Sequence, residues 1–218
     1  VPDGVAVDFG QVMERMRRLR AGIAPHDSAE RFTSLGVDVF IGEGRFIDDG
    51  AVEVEENRLH FKKAVIATGA RAAAPPIEGL DEVPDLNNET LFSLTEPPKR
   101  LAVIGAGPIG CEMAQAFARF GSEVFLIEAL HGILPREDED ASGIVLESMT
   151  KDGVKLLCCG KDLKLSDAGG GKIRFRAASH GSEYDEVVDQ LLVAVGRAPN
   201  VENLGLENAG VRSEEHTS

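Results

Sequence analysis

At 218 residues with 43% hydrophobic content, the chain is long enough for one large domain or two small ones and apolar enough to build a core. A formal net charge of −14 excludes a nucleic-acid or anionic-membrane surface, because either partner is repelled. No apolar run approaches the ~20 residues of a membrane span and no signal-peptide pattern stands at the start. The three cysteines are too few and too poorly spaced for a disulfide framework, so the expected compartment is the cytoplasm.

The first periodic stretch, Gln11–Ile23, reads as a basic helix with Val12, Met16, Leu19 and Ile23 on one stripe. A second helical piece follows at Asp27–Ser34, opened by an Asp27 or Ser28 cap. The period then changes to two. Val37–Ile47, Ala51–Glu55 and Arg58–Phe61 read as short antiparallel strands with turns at Asp48–Gly50 and Glu56–Asn57. Ala64–Thr68 (AVIAT) is expected to be a buried strand closing on Gly69. Ala70–Arg100 is proline-rich and aperiodic, and reads as a connection between two domains.

From Leu101 the pattern is regular: a strand (Leu101–Ile104), a helix (Pro108–Phe120), a strand (Glu123–Ile127) and a helix beginning after Pro135. Acids in Arg136–Asp140 load the first turn of that helix, where they complement the helix dipole. A strand at Val154–Leu157 follows, then Lys172–Ala178 and Glu183–Val188 as a hairpin-like meander. The last strand is Gln190–Val195, ending at Gly196. The two halves share a tail, because VIATGA (Val65–Ala70) matches LVAVGR (Leu192–Arg197) in role. Two similar dinucleotide domains are expected, the first without its opening unit.

The chemistry is concentrated in Gly105, Gly107 and Gly110. Gly105 permits the tight strand-to-helix turn, Gly107 lets the backbone approach a pyrophosphate, and Gly110 lets the helix pack close to the sheet. The helix N-terminus at Pro108 presents free N–H groups to phosphates. Glu128 lies 23 residues after Gly105 (128 − 105) at the end of the next strand, near the ~20-residue spacing of the acid that accepts ribose hydroxyls. Its charge disfavours a 2′-phosphate, and Ala129 and Leu130 follow it where NADP-using sites place Arg or Lys, so NADH is expected over NADPH. Cys158 and Cys159 read as ordinary strand residues on alternate faces, and Cys111 as a small buried side chain. The five histidines make no ligand or triad pattern, so no metal site and no nucleophile–base pair are expected.

GEGRF (Gly42–Phe46), VIATGARAAAPPIEGL (Val65–Leu80), LAVIGAGPIGCEMAQAFARFGSEVFLIE (Leu101–Glu128) and VAVGRAPN (Val193–Asn200) occur in the order found in flavoprotein disulfide reductases. From about Phe9 to Val211 the chain resembles that FAD-dependent pyridine nucleotide-disulfide oxidoreductase family, in its mercuric reductase and dihydrolipoamide dehydrogenase branch. The resemblance implies an α/β, FAD/NAD(P)-binding Rossmann-like fold, a parallel sheet with an antiparallel β-meander. It divides the chain into the back of an FAD domain (Val1–Gly79), a connection (Leu80–Lys99), an NAD(P)H domain (Arg100–Arg197) and a return segment (Ala198–Val211). Thr68, Gly69 and the Gly44 backbone would lie against FAD. Gly105, Ala106, Gly107, Pro108, Ile109 and Gly110 would hold the NAD pyrophosphate, with Gly196 at the nicotinamide ribose and Glu112 near where nicotinamide meets flavin.

The implied activity is hydride transfer from NADH through flavin to a disulfide or metal-ion substrate, in a homodimer formed through a C-terminal domain. This sequence lacks the family's first FAD glycine fingerprint, its Cys-x4-Cys redox pair and its His–Glu acid–base pair, so no catalytic residue is named and the chain alone is expected to be inactive. An NADH oxidase, a ferredoxin-reductase-type flavoprotein and a non-catalytic NAD-sensing module are the alternatives. The chain starts at Val1 without Met, and RSEEHTS (Arg212–Ser218) is what a common sequencing-library adapter spells when translated. A fragment is therefore expected, with those last residues not protein-coding.

Overall fold

A computed structural model describes residues 7–212. Apart from Arg212, the adapter-like tail lies outside the described residues. In chain order the elements are α1 (Phe9–Ile23), α2 (Ala29–Ser34), β1 (Gly44–Asp48), β2 (Ala51–Val54), β3 (Asn57–His60), β4 (Ala70–Ala72), β5 (Arg100–Ile104), α3 (Pro108–Arg119), β6 (Glu123–Ile127), α4 (Glu139–Lys151), β7 (Lys155–Leu157), β8 (Lys161–Gly169), β9 (Lys172–Ser179), β10 (Ser182–Val188), β11 (Gln190–Val193) and β12 (Arg197–Pro199). The chain divides into two compact units: the residues up to Arg18 with Ala72–Arg197, and Leu19–Arg71 with the residues from Ala198.

The larger unit is built on a parallel sheet of order β11-β5-β6-β7. Strands with neighbours on both sides and layers on both faces are apolar throughout, which is why LAVI and VFLI read as continuous runs rather than alternations. Alternate residues of β5 serve opposite faces. Leu101 and Val103 join a cluster with Cys111, Ala114 and Phe117 of α3, Met149 of α4, and Phe9 and Met13 of α1. Ala102 and Ile104 face the other way and join Phe125 with Ile173, Phe175 and Ala177 of the antiparallel β8-β9-β10 meander. Phe125 and Phe175 meet edge-on across that layer, centroids 5.4 Å apart.

Arg100 fastens the sheet to the meander. Its Nε donates to Glu123 of β6 at 2.6 Å, its guanidinium reaches Glu186 at 2.7 Å and the Val187 carbonyl, and its plane lies over Phe125. Glu123 is shared with Lys155 of β7, and its carboxyl is held below the usual range by the Lys155 ammonium and then by Arg100.

In the smaller unit β1, β2 and β3 form an antiparallel meander, with Phe46, Ala51, Val54 and Leu206 buried. The chain from Leu204 onward returns to β1: the Phe46 N–H donates to the Leu204 carbonyl at 2.8 Å, and Asn208 Nδ2 donates to the Phe46 carbonyl at 2.9 Å.

Four expectations need correction. Ala64–Thr68 forms no strand and is exposed, Val65 by 91%. Among the described residues no strand pairs with it, and an apolar run without a hydrogen-bonding neighbour has no ladder to join. The strand expected over Val37–Ile47 is confined to Gly44–Asp48, where β2 pairs with it. The meander gains β8, whose polar sequence and outward side chains hid its period. Ala70–Arg100 is also less loose than its composition suggests. Leu86 inserts between Leu191 and Val193 of β11 (N–H···O 2.7 and 2.9 Å), and Val83, Leu86 and Leu91 are buried. The second helix is capped by Ser28, whose hydroxyl accepts from the Arg31 N–H. Among the described residues no helix is long and apolar enough to cross a membrane.

Candidate functional site

The site lies at the C-terminal ends of β5 and β6, the usual place for ligands on an open parallel sheet. Gly105 follows β5 directly, with φ +99°, and a Cβ there would fall 2.6 Å from the Ala194 carbonyl oxygen. Gly110, buried in the first turn of α3, has no room for a side chain either: its Cβ would stand 1.8 Å from the Gly105 carbonyl oxygen. Gly107 differs from both. Its φ is an ordinary −73° and a Cβ would meet nothing within 4 Å, so the reason for glycine is the open space beside it.

Gly107 is the N-cap of α3, with Pro108 at the first helical position and no side chain capping the end. The N–H groups at Ile109 and Gly110 are therefore left by helix geometry for a ligand, with the positive end of the helix dipole behind them. Ala106 is buried, and its N–H donates to Glu128 Oε2 at 2.8 Å. The other carboxylate oxygen of Glu128 accepts from the Leu130 N–H at 2.9 Å. A carboxylate has about four acceptor positions, so two remain for ribose hydroxyls.

Gly105, Gly107, Pro108, Ile109, Glu128 and Gly196 share the wall of one cleft of about 720 Å³, within the range of small-molecule sites. Glycines that admit a close approach, an uncapped helix end and a half-buried carboxylate fit a dinucleotide. Glu112 stands exposed on α3, outside the lining. Cys111 donates to the Ala106 carbonyl at 3.3 Å, and burial, with Glu128 and Glu112 nearby, pushes its thiol up to about 11, which makes it a packing residue.

The positions expected to lie against flavin fall in the smaller unit. Gly44 opens β1 opposite Val54. Thr68 and Gly69 are exposed and clasped to Asn200: the Thr68 hydroxyl donates to the Asn200 carbonyl at 2.6 Å, Asn200 Nδ2 donates to the Thr68 carbonyl at 3.0 Å, and the Asn200 N–H donates to the Gly69 carbonyl at 3.0 Å. These three positions make no cradle for a flavin on their own.

One grouping was invisible in the sequence. The strand β7 ends at Leu157, so Cys158 and Cys159 stand beyond it and do not alternate as strand residues. They meet His131, from the loop after β6, and His180, from the turn between β9 and β10; the four ligand atoms lie within 4.8 Å of one another. The available signal was that strand ends in one parallel sheet converge, and that HG at 180–181 marks the tip of a hairpin.

The family model for pyridine nucleotide-disulphide oxidoreductase matches residues 11–217. A mercuric reductase of Staphylococcus aureus is 35% identical over 208 residues, covering 95% of this chain and 38% of that protein. A dihydrolipoyl dehydrogenase of Thermus scotoductus is 36% identical, covering 82% of this chain and 39% of that protein. The solved flavoprotein disulfide reductase RclA of Escherichia coli superposes with a TM-score of 0.81 at 30% identity, covering 96% of this chain and 47% of that one. The chain thus spans less than half the length of each of these proteins. On a motif-bearing parallel sheet and a family match over nearly its whole length, the chain belongs to the pyridine nucleotide-disulphide oxidoreductases.

Proposed function

We propose that this chain is the pyridine-nucleotide-binding part of an FAD-dependent oxidoreductase that passes hydride from NADH through flavin to a disulfide or metal-ion substrate. The single observation that carries the reading is the cleft shared by Gly107, the uncapped start of α3 and Glu128. The mercuric reductase and dihydrolipoyl dehydrogenase relatives support both substrate classes. When bound, the nicotinamide would supply a hydride. The residues of this chain bind and orient: the α3 N-terminus takes the pyrophosphate, Glu128 the adenosine ribose, and Gly196 borders the nicotinamide end. Thr68, Gly69 and Gly44 would contribute to the flavin side, and Glu112 would lie toward the nicotinamide–flavin junction. The whole protein is a cytoplasmic homodimer that engages neither nucleic acid nor membrane.

The coenzyme is NADH in preference to NADPH. A 2′-phosphate at Glu128 loses the carboxylate's hydrogen bonds and faces its charge. Arg136 also lines the cleft, but it comes eight residues later (136 − 128) rather than directly after β6. Titration of the chain with both coenzymes, followed by nicotinamide fluorescence, is expected to favour NADH at least tenfold, or roughly 1.4 kcal/mol. Glu128→Gln keeps an acceptor for only one of the two backbone N–H groups that Glu128 holds, and is expected to narrow the ratio. Equal affinities in the wild type, or an unchanged ratio in the variant, would refute the preference.

A further inference from the structure

The same end of the parallel sheet carries four side chains that nucleotide binding does not use. Cys158 Sγ lies 3.1 Å from His180 Nε2, and His131 Nδ1 lies 3.4 Å from Cys159 Sγ. The two imidazole rings stand edge to face, 6.2 Å between centroids. Adjacent residues of an extended chain point to opposite sides, and two neighbouring thiols then cannot converge. Here Cys159 has φ +55°, and the chain turns so that both thiols share one pocket. His180, at φ +49°, and Gly181, at φ +78°, form the tip of the β9–β10 hairpin that brings the fourth group in.

The arrangement is held by bonds that do not pass through the four side chains. The buried Ser179 hydroxyl donates to the Cys158 carbonyl at 2.6 Å, which fixes the hairpin against the β7 end. The Cys159 N–H donates to the Leu130 carbonyl at 2.8 Å, which fixes the β7 end against the loop after β6. Cys158 is buried and Cys159 half-buried, while both histidines are exposed, so two sulfurs form the floor and two imidazoles the mouth. Two thiolates with two neutral imidazoles are the donor set of tetrahedral sites for zinc. Metal–sulfur bonds of about 2.3 Å and metal–nitrogen bonds of about 2.0–2.1 Å imply tetrahedral ligand–ligand edges of about 3.3–3.8 Å. The four atoms, within 4.8 Å of one another, reach that size by side-chain movements of about an ångström.

We propose that His131, Cys158, Cys159 and His180 form a binding site for a divalent d10 cation of the zinc type, clamping three loops at the rim of the nucleotide cleft. The clamp borders the coenzyme site directly. Leu130 and Gly160 line the cleft, and the Gly160 N–H donates to the Glu128 carbonyl at 2.9 Å. A bound ion ties the segment that carries Glu128 to the segments after β7 and β9.

The test uses the 218-residue chain, reduced and stripped with a chelator, then titrated with zinc against a chromophoric competitor and with cobalt(II) as the spectroscopic probe. Expected are one zinc per chain, a rise in melting temperature on zinc addition, and the intense visible bands and sulfur-to-metal charge transfer of thiolate-bound tetrahedral cobalt. His131→Ala changes an exposed residue and His180→Asn suits the positive φ of the hairpin tip, so both keep the fold; each is expected to weaken zinc roughly a hundredfold. The double change Cys158→Ser with Cys159→Ser abolishes the charge-transfer band, while Cys111→Ser retains it. Wild-type zinc binding no tighter than in the histidine variants, or a pale octahedral cobalt spectrum, overturns the site.

Discussion

Val65–Ala70 and Leu192–Arg197 look alike in sequence, an apolar run closing on a small residue and glycine, yet they end in opposite states. Leu192 is 2% exposed between β5 and the inserted Leu86, whereas Val65 is 91% exposed. The difference lies in their neighbours. The β11 strand has β5 beside it and Leu86 on its outer edge, so its N–H and C=O groups are paired. The AVIAT run is likewise apolar but has no described strand to pair with. Strand formation on a parallel sheet is a tertiary event: an apolar sequence makes a strand possible, and a neighbour makes it real.

The comparison breaks first on hydrogen exchange. Amides of Leu191–Val193 are expected to exchange at least about a thousandfold more slowly than those of Val65–Thr68. Comparable protection in both would mean that the second run has found a partner. Next comes a contrast between two glycines of the larger unit. Gly110→Ala is expected to destabilise it by about 3 kcal/mol or more, since the methyl group collides with the Gly105 carbonyl. Gly107→Ala is expected to stay within about 0.5 kcal/mol of wild type while weakening NADH binding at least tenfold. Urea unfolding and coenzyme titration separate the two, and a reversed pattern would misassign their roles.

A smaller effect is expected at the rivet. Arg100→Ala removes a half-buried guanidinium from its three partners, Glu123, Glu186 and the Val187 carbonyl, and should cost about 2 kcal/mol. The pH sign follows from Glu123, whose folded-state value is depressed below 4.5. Its contribution is complete above that value and is lost as pH falls through the lowered one, so acid unfolding of the larger unit should begin below about pH 4.5. Identical acid transitions in the wild type and the Arg100→Ala variant would show that Arg100 has no part in the acid response. The smallest expected change is Asn200→Ala, about 1 kcal/mol in the smaller unit, with NADH binding unaltered. Faster proteolysis around Thr68 is the readout; an unchanged cleavage pattern would mean that the clasp contributes nothing.

The β5–α3–β6 segment was legible because everything that makes it work is local: an apolar strand, three glycines with separate steric duties, a proline at the helix start and an acid at the next strand end. What was not legible depends on atoms distant in sequence. The β8 strand is polar and stands out only once β9 pairs with it. Leu86 gains its place from β11, about a hundred residues away (191 − 86 = 105). Cys158 and Cys159 looked like alternating strand residues because a positive φ at Cys159 cannot be foreseen from the letters CCG. His131 and His180 are 49 residues apart (180 − 131), and only the convergence of loops at one sheet edge makes them neighbours.

Glu128 also constrains how this protein can change over generations. Its two oxygens already hold the backbone at Ala106 and Leu130, so the side chain proposed to discriminate between coenzymes is part of the scaffold of the turn. A lineage drifting toward NADPH cannot begin by discarding it without loosening the glycine turn that every coenzyme needs. The accessible first steps are at Ala129 and Leu130, both exposed and open to a basic replacement. Replacement of Glu128 becomes tolerable only after such a step. The order of substitutions, and not merely their identity, is therefore written into two hydrogen bonds.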